Sequence, residues 1–434
     1  MSSKRSRPTS ATAALPSSTR PLRFASWNVL ADSLLRQNSW LYQSCDPEAL
    51  HDRLPRIFNG VERLEPDVLA MQEVEHFARD MEPRLSELGF SGVYKQRTGD
   101  DQTDGVALVW RNERLAAEQI EYVEYASALT AGVKDPRSLE MLKKHNVAII
   151  ALLRDLESGK LLVVATTHIL WNPRRGWVKL QQLNHLFARV DAMRRGAAAT
   201  EAAVDVTSND VGTTSCGESA DDGGIGQSTG ATLPAVVLGD FNCTPASMLH
   251  GFLLGWPLQA PLHSERYWDG QEEIQNLTRA FRKHGTPQPW PRAPVPPRLP
   301  PPIADHDRSR GEVSASPPRQ RPPPPAQPPP LSAEVHSTHA LAGELASAYG
   351  HLGEPECTSF HRGFQGAVDY ILATRADFVV QTVLPLPSRE ELARRRSLPD
   401  AHCPSDHLPV ACELAWRDQQ QRGSASDRRY AKNT

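Results

Sequence analysis

No two cysteines in this chain are spaced as C-x-x-C. The six present, at positions 45, 216, 243, 357, 403 and 412, are scattered through 434 residues. Such scatter argues against a zinc site or a disulfide framework and suits a reducing compartment. Long apolar runs are missing too. The longest, Val147 to Leu153, falls far short of the ~18 residues a membrane-crossing helix needs, so no membrane partner is expected. Charge of one sign is also lacking. The formal net charge is −3, which leaves no global basic field, so a nucleic-acid partner would have to be gripped by a local patch and a metal. Finally, no acid precedes Asp32, while Lys4, Arg5, Arg7, Arg20 and Arg23 stand among Ser, Thr and Ala. That composition fits a disordered basic tail over residues 1–21 or an organelle transit peptide. The expected location is cytoplasmic, with the nucleus, mitochondrion or chloroplast left open by the basic start.

What is present falls into one alternating core and two insertions. Residues 196–232 turn abruptly to Ala, Gly, Ser, Thr and Asp with no periodicity, which predicts disorder. Residues 287–330 hold 18 of the 37 prolines, so the stretch 287–335 is expected to be extended and mobile, with polyproline character. It is a solvated spacer or a docking site for proline-binding modules. Residues 418–434 read as a disordered tail. The rest, 22–417, alternates strands and helices as one domain.

Strands are predicted at 22–27, ending at Asn28, and at 66–75, finishing at Glu73. Others are predicted at 106–110, 146–153 and 161–167, the last ending at His168. Two more follow at 366–373, with Asp369 near the middle, and at 405–414, with Asp406 and His407 at the start. Helical spacing of apolar residues marks 48–64, where Pro55 should kink or restart the helix, then 77–88, and a stretch from Leu180 to Met193. A basic, polar loop is expected over 94–105.

The chain is organised around AVVLGDFNCTP, 235–245. An apolar strand breaks at Gly239 and releases Asp240 and Asn242, which period-2 geometry sends out of one face at a sheet rim. There an Asp can take a proton or hold a metal, and an Asn can donate to an oxyanion. The same pair could instead form an Asx-turn that caps backbone. Glu73 fits a surface acid after a strand as readily as a ligand, and His168 fits a satisfied core histidine. Asp369 lies in an apolar strand, where an ionised carboxylate is costly unless it is paired. Lys95, Arg97, Arg174 and Arg175 flank the predicted rim, either as a grip for a phosphate backbone or as two solvated basic turns.

The motifs WNVL (27–30), DVLAMQEVE (67–75), TTHILWNPRRGWVKLQQ (166–182), GDFNCTP (239–245), GAVDYI (366–371) and SDHLPV (405–410) resemble the endonuclease/exonuclease/phosphatase superfamily. Within it they look like the deadenylase, nocturnin and Angel branch, and the NPRRG turn is most similar to Angel-type members. The resemblance implies a DNase I-like α/β fold, a four-layer sandwich of two packed mixed sheets flanked by helices. It also implies roles. Glu73 would ligate Mg²⁺ (or Mn²⁺), with Asn28 setting the metal or the attacked phosphate and Asp406 as a second acidic group nearby. Asp240 would orient and deprotonate a water, while Asn242 donates to phosphoryl oxygens. His407, held by Asp369, would neutralise or protonate at phosphorus, and His168 would contact the scissile phosphate.

The implied activity is metal-dependent phosphodiester hydrolysis at RNA 3′ ends, first as a 3′-5′ exoribonuclease or poly(A)-specific deadenylase in mRNA turnover. Its alternative is processing of a 2′,3′-cyclic phosphate. A reading of another class is an RNA-regulatory scaffold that works through the proline-rich insertion. No leucine-rich repeats precede the catalytic motifs, so assembly into a deadenylase complex by that route is not expected.

Overall fold

The computed structural model describes residues 19–42, 50–208, 232–272, 275, 334–395 and 397–417. Residues 1–18 of the expected basic tail, 209–231 of the first insertion, the proline-rich stretch to residue 333 and the tail from 418 lie outside the described residues, whereas Arg20, expected within the tail, is described and pairs with Asp67 at 2.7 Å. Most of the chain's apolar residues go into strands. Their alternation is apolar on both phases, which is the pattern of a sheet covered on both faces. In the first sheet β1 (Leu22–Asn28) lies between β2 (Val68–Glu75) and β16 (Val410–Trp416). Beyond β2 come β4 (Asp104–Arg111) and then β3 (Phe90–Gln96), and beyond β16 comes β15 (Phe378–Val383). The second sheet runs in the order β11 (Leu345–Ser347), β14 (Asp369–Thr374), β8 (Ala235–Asp240), β7 (Leu161–His168), β6 (Val147–Asp155), β5 (Leu115–Glu124). Each sheet is mixed: β1–β2 and β7–β8 are parallel and the other pairs antiparallel. Two short two-stranded antiparallel sheets, β9 (Leu258–Pro261) with β10 (Glu334–Ser337) and β12 (Ser359–Phe360) with β13 (Gln365–Gly366), stand apart from them.

Successive residues on each strand serve different cores. Phe24, Val68, Ala70 and Leu108 of the first sheet meet Ile149, Leu162, Val164, Val236 and Leu238 of the second in the central core. Their neighbours Ala25, Leu69, Met71 and Val109 face outward onto Ile57, Phe58 and Val61 of the helix Arg53–Leu64. On the other side Ile150, Val163, Ala165 and Val237 pack on Val178, Leu183, Phe187 and Val190 of the long helix Gly176–Ser208. The result is the expected four layers, helix, sheet, sheet, helix. No described helix is long and apolar enough to cross a membrane.

Several local expectations need correction. The helix expected from 48 begins at Arg53, so that Pro55 falls in its first turn, where a missing N–H costs no intrahelical bond. The helix predicted around Leu180 runs on to Ser208, into the stretch expected to lack structure from 196, because Ala197–Thr200 and the alanines that follow sustain a helix well. Lys95 is not in a loop but on β3, and the expected loop is only the short connection from Arg97 to Thr103. Asp369 opens its strand rather than sitting at its middle, and the closing strand begins at Val410, leaving Asp406 and His407 on the loop before it. Strand β2 continues to Glu75, beyond Glu73, by way of a bulge between Gln72 and Val74.

Leu238 lies on the central strand β8 with no exposed surface, between the two sheets. Leu238→Ala is expected to cost about 2–5 kcal/mol by chemical denaturation. A loss near zero would contradict this packing.

Candidate active site

The parallel pairing of β7 with β8 sets His168 opposite Asp240, and the antiparallel pairing of β14 with β8 sets Asp369 opposite Asp240. Three titratable side chains therefore stand side by side across one sheet rim by register alone. Gly239 makes that pairing close: a Cβ there would lie 2.2 Å from the Thr167 carbonyl oxygen. The chain then turns sharply. Asn242 has φ +47, in the left-handed region, and its N–H donates to Asp240 Oδ1 at 3.0 Å. The Asx-turn is thus present, and it orients the carboxylate. Asn242 Nδ2 donates to the Ile169 carbonyl at 3.0 Å.

The first sheet supplies the other half. Asn28 ends β1, and its Nδ2 donates to Glu73 Oε1 at 3.0 Å and to Asp240 Oδ2 at 3.1 Å. Glu73 is the bulge residue of β2, with φ +56. That strained backbone swings its carboxylate toward Asn28 and the Ala31 N–H, 3.2 Å away. On the loop before β16, His407 donates from Nδ1 to Asp369 Oδ2 at 2.8 Å, and its Nε2 lies 3.9 Å from Asp240 Oδ2. Ser405 holds this loop by donating to the Asn28 carbonyl at 2.6 Å and accepting the His407 N–H at 3.1 Å. Asp406 accepts from the Tyr42 hydroxyl at 2.9 Å.

Burial and like charge decide the protonation states. Burial, then the adjacent Asp369, lift the Asp240 carboxyl to about 7. Burial with Asp406 and Asp104 lifts that of Glu73 to about 7. Burial works against the charged form of His407, but Asp369, Asp406 and Asp240 outweigh it and hold the imidazole well above its ordinary value. His168 goes the other way. Burial, with Arg97 and His407 adding positive charge, pushes it down to about 3, so it is neutral at pH 7.

The expected basic grip comes together only in part. Lys95 is tied to Glu124, and Arg97 pairs with Asp104 at 3.2 Å. Arg97 still edges the site, through Asp104 beside Glu73 and through its field on His168. Arg174 and Arg175 are exposed on the turn after β7. Beside Glu73 a cavity of about 230 Å³ opens, with Leu30, Arg36, Arg53, His76 and Arg79 in its wall. Sequence reasoning missed the supports: Tyr42, Arg53, Thr358, Lys179, Asp269 and Gln271. Thr358 Oγ1 donates to Asp369 at 2.5 Å, and Arg53 donates to the Val29 carbonyl at 2.9 Å and the Pro404 carbonyl at 2.8 Å. Only Lys179, a cation inside the apolar run Trp177 to Leu180, carried a signal that could have flagged it.

Asp240, Asp369 and His407 each offer a ligand atom within 4.8 Å of the others. Asp369 is joined to His407 through Oδ2, while each oxygen of Asp240 and of Glu73 accepts a hydrogen bond and keeps a further lone pair for a ligand. Oδ1 of Asp369 is buried with no hydrogen-bond partner among the described residues. Four carboxylates around one charged imidazole leave negative charge in excess, which suits a hard divalent cation.

The sequence profile described as Endonuclease/Exonuclease/phosphatase family matches residues 25–407. Protein angel homolog 2 of Danio rerio is 28% identical over 421 residues, covering 91% of this chain and 64% of that protein. Protein angel homolog 1 of Homo sapiens is 32% identical over 267 residues, 58% of this chain and 33% of that protein. The chain thus spans less than two thirds of the length of these relatives. Among solved structures, that of ANGEL2, a 2′,3′-cyclic phosphatase, in complex with adenosine-2′,3′-vanadate superposes with a TM-score of 0.63 at 26% identity, covering 92% of this chain and 96% of that one.

Glu73 and Asp240 bind protons more readily in the fold than in the unfolded chain, so their contribution to stability falls as pH rises from about 4 through about 7. Mg²⁺ should offset that loss where the carboxylates are ionised. In thermal melts, millimolar Mg²⁺ is expected to raise Tm more at pH 7.5 than at pH 5, and Asp240→Asn should remove most of the difference. An equal Mg²⁺ effect at both pH values would count against a cation at these carboxylates.

Proposed function

The chain belongs to the endonuclease/exonuclease/phosphatase family, and from that premise we propose that it is a metal-dependent phosphoester hydrolase acting on RNA 3′ ends. Its preferred group is a terminal 2′,3′-cyclic phosphate. The observation that carries this is the similarity, over nearly the whole chain, to a 2′,3′-cyclic phosphatase holding adenosine-2′,3′-vanadate. Deadenylation, the first expectation from the motifs, uses the same hydrolytic step on an acyclic diester and becomes an outcome of the test. The fully assembled rim set speaks against a scaffold that has lost its chemistry.

Glu73, with Asp240 and Asn28 beside it, would hold the cation, and Asp406 lies close enough to Glu73 to add to the field. Mg²⁺ bound there would neutralise phosphoryl oxygens and make the phosphorus more open to attack. Asp240, with its carboxyl poised near neutrality, orients a water and takes its proton. His407 stays protonated at neutral pH because Asp369 grips Nδ1, so Nε2 donates toward the phosphoryl group as charge accumulates. Asn242 has one amide N–H fixed on the Ile169 carbonyl and the second free to donate to the same group. Neutral His168 adds a donor without adding charge. One water opens the cyclic diester to a monoester, and a second releases inorganic phosphate, leaving the 2′,3′-diol. No covalent enzyme intermediate is needed.

The direct test offers the purified protein, with Mg²⁺, an oligonucleotide ending in 2′,3′-cyclic phosphate, poly(A), and a mixed-sequence RNA, with product ends identified by mass. Loss of the cyclic phosphate with the chain length unchanged is expected. Stepwise shortening of poly(A) alone would move the reading to deadenylation. Separately, Glu73→Ala and His407→Ala should still fold cooperatively, His407→Ala with a lowered Tm because Asp369 is left buried and unpaired, and both should lose at least about a hundredfold in kcat. Full activity in either would refute the assignment.

A further inference from the structure

Lys179 is the one lysine that is fully buried among the described residues. It stands in the first turn of the helix Gly176–Ser208, where a cation opposes the helix dipole. Its burial beside Asp269, also without exposed surface, is no stability argument either, since a well-packed apolar pair in such a place is often as stable or more so. What the ammonium does is collect carbonyls. It pairs with the Asp269 carboxylate, donates to the Asn242 carbonyl at 2.8 Å and reaches the Trp171 carbonyl at 3.4 Å. Gln271 doubles the grip: its Nε2 donates to the Asn242 carbonyl and lies 3.5 Å from that of Trp171. The Asp269 carbonyl in turn accepts the Thr244 N–H at 2.8 Å.

These bonds converge on the one place in the Asp240–Thr244 turn where the backbone is strained. Asparagine enters the left-handed region more readily than other non-glycine residues, and at Asn242 the φ of +47 is held by bonds on its carbonyl, its N–H and its amide. The strain at Asn242 aims its N–H at Asp240 and its amide into the rim.

We propose that Lys179, with Asp269 and Gln271, is a positioning residue that fixes the strained Asn242 backbone and so sets the directions of the Asp240 carboxylate and the Asn242 amide. It also ties that turn to the Trp171 turn, where the indole is 62% exposed and Arg174 and Arg175 face solvent. The kinetic part rests on the hydrolysis proposed above; the structural part does not.

The test compares Lys179→Met with the double variant Lys179→Met/Asp269→Leu, which replaces the buried ion pair by apolar side chains. Two quantities are read: amide hydrogen exchange across residues 240–245 in the absence of substrate, and kcat and KM on the cyclic-phosphate oligonucleotide. Both variants are expected to lose exchange protection at Asn242 and Thr244. Both should lose about a hundredfold in kcat, the scale of a small misplacement of reacting groups, with KM changed far less. The double variant should recover the wild-type Tm without recovering kcat or protection. If it regains kcat together with Tm, the pair carries stability only and the proposal is overturned. Unchanged protection at 240–245 in both variants overturns it as well. Should Lys179→Met alone fail to fold, the double variant decides. If the wild-type protein hydrolyses none of the RNAs, the function proposal fails, and the exchange data still judge the positioning role.

Discussion

The hydrogen bond between Asp369 and His407, 2.8 Å long, joins the two sheets at their rim. Asp369 opens a strand of one sheet, and His407 precedes a strand of the other. The bond from Asn28 to Asp240 crosses the same gap in the same sense, donor on the first sheet and acceptor on the second. The site is therefore half of each sheet, and it exists only while the central core keeps the sheets in register and at a fixed spacing. Trp27 shows the coupling: its ring packs in the outer core of the first sheet while its Nε1 donates to the His407 carbonyl at 2.9 Å. A packing residue thus holds a chemical one.

This convergence works against stability and in favour of chemistry. Asp240 and Glu73 are held near neutrality in their titration because each is surrounded by protein and by other acids. Either alone in such a place would be a fault. Together they suit a cation and a proton acceptor, and the large apolar interior tolerates the cost. Three left-handed residues at the rim, Leu30, Glu73 and Asn242, tell the same story in the backbone. Each bends the chain at or near a strand end or bulge, and each bend is held: Leu30 by Arg53, Glu73 by Asn28 and the Ala31 N–H, and Asn242 by Lys179 with Gln271.

Much of this was legible in the linear sequence. The apolar strands announced themselves, and the polar residues at their ends, Asn28, Glu73, His168 and Asp240, were the candidate set that the fold brings together. Less legible were the places where tertiary context overrides local pattern. The bulge at Glu73 needs the partner strand β4 to define it. The helix that continues past residue 196 rests on alanines that read, out of context, as part of a low-complexity stretch. Lys95 looked like a loop cation because nothing near it in sequence reveals Glu124, its partner across 29 positions.

The sequence by itself determined a candidate set of polar residues and that Asn28, His168 and Asp240 end strands, because alternation and turn residues are local properties of a chain. The alternation of strands and helices gave an α/β core, and the resemblance of the motifs implied its four layers. The pairing of Asp369 with His407 was implied by the resemblance alone. Only the tertiary structure decided the charge states, the bulge that turns Glu73 inward and the clamps on the left-handed turns. Those depend on distances between residues far apart in the chain, and a pKa or a hydrogen bond is fixed by what lies within a few ångströms in space.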